Sequence, residues 1–159
     1  MNYPDVNIIP FNEELSVHFT KLNTAWVEKY FILEPMDIEV LGNPKKFIID
    51  CGGYIFFAKA GDAIAGTFAL VKESDAVYKL SKMAVDENYL GQKIGNCLME
   101  FCIAKATELK ATKIELYSNT LLGAAIHLYK KYGFAEVTMS TPEFERSNIK
   151  MELVLRSKR

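Results

Sequence analysis

A glycine-containing loop between a predicted strand and a predicted helix is the first place in the chain where chemistry could occur. It spans residues 88–96 and contains Gly91 and Gly95, with Lys93 between them. The first turn of a helix has amides without intrahelical acceptors and carries the positive end of the helix dipole, so it attracts phosphate. The loop therefore predicts a phosphate site, although a strand-to-helix turn needs glycine for its geometry in any case.

Two common nucleotide-binding motifs are excluded at this loop. The chain has no G-x-x-x-x-G-K-[ST] sequence, which excludes a P-loop nucleotidase. A dinucleotide-binding fold needs three glycines after its first strand and an acidic residue about 20 positions further on. Glu115 lies near that distance, but the third glycine is missing and several predicted antiparallel strands come first.

A second segment, residues 118–134, contains Tyr129 and Tyr132 near the end of a predicted helix. Together with two earlier segments it resembles the GNAT superfamily, the acetyl-CoA-dependent N-acetyltransferases. The matching segments, in the family's order and spacing, are KMAV at 82–85, YLGQKIG at 89–95 and AIHLYKKYGF at 125–134. The resemblance is strong from about residue 77 to 137, and the order of predicted elements extends it over nearly the whole chain.

The resemblance implies where the cosubstrate acetyl-CoA would bind. In this family the sheet opens between the fourth and fifth strands, and the pantetheine arm lies there against the backbone of the fourth strand. A main-chain N–H of that strand can stabilise the oxyanion, and the pyrophosphate lies on the helix amides. The CoA-binding residues implied here are Met83, Ala84, Val85, Gly91, Gln92, Lys93, Ile94, Gly95, Asn96 and Asn119. Plain core packing of the side chains at 83–85 is compatible with this role, because binding uses their backbone.

Tyr129 matches the family tyrosine that acts as general acid. Direct acetyl transfer leaves a thiolate that needs a proton, and a phenol with a pKa near 10 is a suitable donor. Periodicity alone would favour an ordinary aromatic residue on a helix face, and the resemblance reverses that preference. Tyr132 is expected to pack against the helix end. Cys97 and Cys102 lie on a face spaced for burial, and no neighbouring base is found for a covalent cysteine route.

Three positions depart from the family pattern. Leu90 stands where the family usually has Arg or Gln, and its side chain cannot donate a hydrogen bond to phosphate. Lys93 stands where the family has glycine, so it would supply a charge if its backbone tolerates the loop geometry. Lys79 stands where many members have a carboxylate base, which leaves the general base unassigned. A water chain or a partly deprotonated acceptor would serve.

The sequence does not determine the acceptor of the acetyl group. The family builds this site mainly from its first two helices, which here correspond to residues 26–50. Glu34 and Asp37 could hold an ammonium group and Lys45 and Lys46 a carboxylate, but such a mixture is more often a solvated surface. We expect a small-molecule amine. The alternatives are a protein N terminus or lysine as acceptor, and a non-catalytic acyl-CoA sensor.

The hydrophobic pattern predicts an α+β fold with a mixed, twisted sheet of about six to seven strands and helices on both faces, and the resemblance implies that this fold is of the GNAT type. Predicted strands are 6–11, 54–60, 63–72, 77–85, 113–117, 134–139 and 149–155. Predicted helices are 13–30, from the 86–92 loop to about 109, and 122–132, with short helical turns at 37–41 and 44–49. Pro35 is expected to end the first helix, and Pro44 to open the second short turn behind Asn43 as its cap.

Composition excludes several classes of protein. The 159 residues predict one domain, 1–159, and 19 basic against 20 acidic residues argue against a nucleic-acid partner that binds a broad basic face. The chain has three cysteines, none of them in a C-x-x-C pair, and two histidines. This set of residues predicts no metal site. The thiols are expected to be reduced and mostly buried, and no apolar run is long enough to cross a membrane. These features predict a cytoplasmic protein with no membrane partner, and a homodimer is left open.

Overall fold

The strands of the computed structural model, which describes residues 5–156, form a mixed seven-stranded sheet. They are β1 (Val6–Pro10), β2 (Tyr54–Ala60), β3 (Ala63–Lys72), β4 (Val77–Val85), β5 (Lys113–Ser118), β6 (Ala135–Val137) and β7 (Ile149–Val154). Their order across the sheet is β1-β2-β3-β4-β5-β7-β6, and β4–β5 is the parallel pair. The sequence predicted the bounds of β2, β3 and β4 as they are found, whereas β6 is shorter than predicted.

Within the described residues, four α-helices connect and cover these strands: α1 (Ser16–Tyr30), α2 (Pro35–Gly42), α3 (Ile94–Glu108) and α4 (Gly123–Lys131). Short 3₁₀ turns occur at Glu13–Leu15 and Glu87–Tyr89, and a π-helical turn at Lys45–Ile49. None of the helices in the described part of the chain is long and apolar enough to cross a membrane.

The segment around α2 differs from its prediction. Pro35 does not merely end the preceding helix, because α1 ends at Tyr30 and Pro35 begins α2. Proline fits that position, since the first amide of a helix has no intrahelical acceptor. Pro44 does precede a short helical turn, and the Asn43 side chain accepts a hydrogen bond from the Lys46 amide, but the turn is π-helical.

The apolar core lies on both faces of the sheet. On one face, α3 packs against β3 and β4 through buried residues such as Leu98, Met99 and Cys102. On the other face, α1 and α2 contribute Phe19 and Leu41 to a second apolar cluster. Helices on both faces of a mixed sheet confirm the predicted fold class.

The sheet opens between β4 and β5. Strand pairing joins residues 77–79 of β4 to residues 113–115 of β5, and among residues 5–156 no pairing between these strands extends further. Close to this divergence β4 contains a bulge, where its register with β3 shifts between Thr67 and Ala69 and Lys82 adopts a φ of 56°. The gap between β4 and β5 is therefore available to ligands and side chains.

Candidate active site

Two cavities meet at the opening between β4 and β5. The larger is a cleft of about 910 Å³ whose walls come from α1, β4, the start of α3 and α4. The smaller, of about 80 Å³, lies between α1, β4, β5 and the loop that precedes β7. Their shared wall consists of Trp26, Met83, Leu122 and Tyr129. A ligand in one cavity is therefore next to a ligand in the other.

The loop before α3 has the geometry of an anion site. Gly91 has a φ of 81°, which favours glycine, and a Cβ at that position would meet no atom within 4 Å. Among the described residues, no group accepts a hydrogen bond from the amides of Ile94, Gly95 and Asn96, and the first turn of α3 has no acidic residue. Three free amides at a helix start can bind a phosphate.

Lys93 occupies the left-handed conformation that its loop requires. Its φ is 62° and its ψ is 25°. A lysine therefore adopts the left-handed backbone conformation at the position where the family pattern has glycine. Its side chain is exposed, as is that of Gln92. Leu90 is 58% exposed and lines the larger cleft. A side chain that cannot donate a hydrogen bond therefore does face this cleft.

Four other predicted CoA-binding residues line the larger cleft: Met83, Ala84, Val85 and Gly95. The side chain of Ile94 is buried in the core, which leaves only its backbone for a ligand.

Two predicted CoA-binding side chains already have partners within the protein. The Asn96 amide donates to the Tyr132 hydroxyl at 3.3 Å. The Asn119 side chain donates to the Arg146 carbonyl at 2.7 Å and accepts from the Leu121 amide at 2.8 Å, and Asn119 lines the smaller cavity. CoA binding by Asn96 through its backbone, and by Asn119, stays a prediction.

Tyr129 forms part of the shared wall of the cavities. Burial raises the pKa of its phenol to about 12, although a hydrogen bond with the Ser118 side chain acts in the opposite direction. The phenol therefore keeps its proton at neutral pH, which is the form that donates. Tyr132 does not simply pack against the helix end, because its hydroxyl also donates to Glu100 Oε2 at 2.7 Å.

A cluster of charged side chains adjoins the smaller cavity, and two of its members, Lys82 and Arg146, line it. The Asp37 carboxylate is fully buried and accepts from Lys82 Nζ at 2.7 Å and from Arg146 Nη1 and Nη2 at 2.7 and 2.8 Å. Burial alone would raise the pKa of Asp37, but the hydrogen bonds from Arg146 and Lys82 lower it to about 2. Burial lowers the pKa of Lys82, and its contact with Asp37 partly offsets this.

The loop before β7 is attached to α2 through the same cluster. Arg146 also donates to Glu34 Oε2 at 3.1 Å, and the Glu145 amide donates to Glu34 Oε1 at 2.9 Å. The ring of Phe144 contacts both cations, 4.6 Å from Lys82 Nζ and 4.2 Å from the Arg146 guanidinium carbon. These contacts hold the loop over the smaller cavity.

The structure corrects the expectation that Glu34, Asp37, Lys45 and Lys46 form a solvated surface at the acceptor site. Glu34 and Asp37 belong to the internal cluster and bind the chain's own cations. Lys45 pairs with Asp50 on the surface, Lys46 is exposed, and neither lines a cavity.

Sequence reasoning missed Lys82, Arg146 and Phe144 as site residues. Arg146 lies 109 positions from Asp37, and no local spacing indicates a contact over that separation. Lys79 stands at the paired end of β4, where its amine forms ion pairs with Glu143 and Glu73, and it lines neither cavity.

Metal and cysteine chemistry find no support in the described residues. No group of three or more His, Cys, Asp or Glu side chains in residues 5–156 could hold a metal ion. Cys97 and Cys102 are buried as predicted, and burial raises the pKa of each thiol, which disfavours the nucleophilic thiolate. Cys51 is exposed.

Sequence comparisons show which known proteins this chain is similar to. The family model described as Acetyltransferase (GNAT) domain matches residues 51–136. An uncharacterized N-acetyltransferase of Bacillus subtilis (strain 168), YvbK, is 32% identical over 104 residues, which cover 64% of this chain and 67% of that protein.

Solved structures share the fold at lower sequence identity. A GNAT-family acetyltransferase from Staphylococcus aureus Mu50 superposes with a TM-score of 0.85 at 23% identity, over 95% of this chain and 99% of the other. The spermidine N-acetyltransferase of Vibrio cholerae, solved in complex with CoA and spermine, gives a TM-score of 0.74 at 16% identity, over 96% of each chain.

Proposed function

This chain belongs to the GNAT acetyltransferase family, and on that basis we propose that it transfers the acetyl group of acetyl-CoA directly to the primary amine of a small molecule, with Tyr129 as general acid. The observation that carries the proposal is the meeting of a large cleft and a small polar cavity at Tyr129. A two-substrate transfer needs two adjoining sites with a proton donor between them.

The larger cleft suits acetyl-CoA. The free amides of residues 94–96 would bind the pyrophosphate, and Gly91 allows the backbone to approach it. The edge of β4 that β5 leaves unpaired would receive the pantetheine arm near Met83, Ala84 and Val85. The CoA in the Vibrio cholerae relative, which has the same fold, supports this assignment.

The proton transfers of the reaction can be assigned in part. When acetyl-CoA is bound, its thioester supplies the acetyl carbon: a C–N bond to the amine forms and the C–S bond breaks. Tyr129 donates its phenolic proton to the departing sulfur and regains a proton from solvent, and the proton that the amine loses passes to solvent. The raised pKa of Tyr129 keeps the phenol protonated before each turnover.

We expect acetyl-CoA to stabilise the folded protein and to be consumed when a suitable amine is present. At about 100 times its Kd, a ligand adds about 2.7 kcal/mol to the free energy of unfolding. Thermal unfolding with millimolar acetyl-CoA tests binding, and release of free thiol across a panel of amines tests turnover. A melting temperature unchanged by acetyl-CoA would contradict the proposal, and stabilisation without thiol release from any amine would favour the sensor.

Lys93 is expected to assist the pyrophosphate and so to compensate in part for Leu90. Lys93→Gly removes the charge while keeping access to the left-handed conformation, so it should weaken CoA binding severalfold at low salt. The difference from wild type should shrink as salt rises, because exposed charges are screened.

Titration calorimetry at two ionic strengths measures this effect. Lys110→Gly is the matched control, since Lys110 also has a positive φ (61°) but lines neither cavity. Equal CoA affinity of Lys93→Gly and wild type at low salt would show that the Lys93 side chain has no role in binding.

A further inference from the structure

Lys82 is a nearly buried cation with too few hydrogen-bond partners. Its side chain is 7% exposed and lines the smaller cavity. An ammonium group has three N–H donors, and Lys82 makes one hydrogen bond among the described residues, to Asp37. The ring of Phe144 stabilises the charge but supplies no oxygen acceptor. Two donors of Lys82 are therefore left for a ligand.

Arg146 adds to this surplus of donors. Its guanidinium has five N–H donors, and three hydrogen bonds engage it, two to Asp37 and one to Glu34. Lys82 and Arg146 together thus have about four N–H donors without an acceptor among the described residues. Both side chains line the smaller cavity.

The nearby carboxylates are already engaged by the chain's own cations. Both oxygens of Asp37 accept from Lys82 and Arg146, and this carboxylate is fully buried. Both oxygens of Glu34 accept from Arg146 and the Glu145 amide. Glu143 lines the cavity and accepts a hydrogen bond from Lys79, which also pairs with Glu73. The cavity therefore offers donors in excess, which suits an anionic ligand better than a second ammonium group.

We propose that the acceptor is a small amine that also carries a carboxylate, and that Lys82 and Arg146 bind this carboxylate in the smaller cavity. The inference rests on the proposed function and names the class of its acceptor. A carboxylate accepts hydrogen bonds through two oxygens and donates none, so it matches the surplus donors. Lys82 directly precedes Met83 of the shared wall, which places the carboxylate site next to the wall that separates the cavities.

The test compares acceptors that carry a carboxylate with amines that lack one. Thiol release is measured with acetyl-CoA and, for a series of amino acids, the free acid, its primary amide and the decarboxylated amine, with spermidine added as a polyamine. We expect kcat/KM for the preferred free acid to exceed that for its amide by at least about 10-fold, the fold-change that one charge-assisted hydrogen bond produces. This comparison uses the wild-type chain and does not depend on the folding of a variant.

Lys82→Met tests the residue itself. The KM for the acid should rise about 10- to 100-fold and the preference for acid over amide should fall, while the KM for acetyl-CoA stays the same. Asp37 keeps both hydrogen bonds from Arg146 in this variant, so the fold should persist. Lys113→Met is the matched control, because Lys113 pairs with Glu152 and lines neither cavity.

The outcomes separate this inference from the proposed function. Equal or better turnover of the amides, the decarboxylated amines or spermidine would overturn the inference and leave acetyl transfer intact. An unchanged KM for the acid in Lys82→Met would also overturn it. Absence of thiol release with every amine would overturn the proposed function and this inference with it.

Discussion

Tyr129→Phe is expected to lower kcat by roughly 10²- to 10⁴-fold, the usual contribution of a general acid. Tyr129 is half-buried in the wall that the two cavities share, where its phenol would lie between the two substrates. Phenylalanine keeps the aromatic ring and its contact with Phe134 at 6.1 Å. Acetyl-CoA affinity and thermal stability should therefore change little.

The measurement is kcat with one amine at saturating concentration, so that a defect in acceptor binding is not mistaken for a chemical defect. Tyr132→Phe is the matched control, since Tyr132 lies three residues further on and lines neither cavity. Its turnover should stay close to that of wild type. Turnover of Tyr129→Phe within about threefold of wild type would make Tyr129 a structural residue.

Asp37→Ala is expected to lower the free energy of unfolding by about 3–5 kcal/mol, the effect of removing one partner from a buried ion cluster. Lys82 and Arg146 would keep their charges in the interior without the carboxylate that balances them. The loop before β7 would also lose part of its attachment to α2. Urea unfolding at neutral pH measures the effect.

Two comparisons make this result specific to the cluster. Glu39→Ala changes an exposed carboxylate on the same helix and should stay within about 0.5 kcal/mol of wild type. The pKa of Asp37 in the folded protein, about 2, is below its usual 3.8. The ionised carboxylate therefore stabilises the folded protein above pH 4, and this stabilisation is lost as the pH falls toward 2. The difference in the free energy of unfolding between wild type and Asp37→Ala should therefore decrease by about 2 kcal/mol over that range. A difference that stays constant with pH would show that the variant loses stability through packing and not through charge.

Local patterns in the sequence were sufficient for the strands and helices that form the scaffold. The β-type runs at 54–60 and 63–72 predicted β2 and β3 with their bounds, because strand preference depends on residues that are neighbours in the sequence. The segment around α2 was predicted less well, since Pro35 can either end one helix or begin the next. The choice depends on the Glu34–Asp37 capping contact at the start of α2.

The sequence by itself determined the parts of the candidate site that are local: the turn at residues 91–96, where an anion site is predicted, and the motif around Tyr129. The cluster that we propose as the acceptor site was decided by the tertiary structure alone. Asp37, Lys82 and Arg146 come from α2, the bulge of β4 and the loop before β7, and they meet only after the sheet and helices have packed. Burial then makes each charge depend on the others, because an isolated charge in the interior is strongly disfavoured. No spacing rule in the sequence describes such a contact.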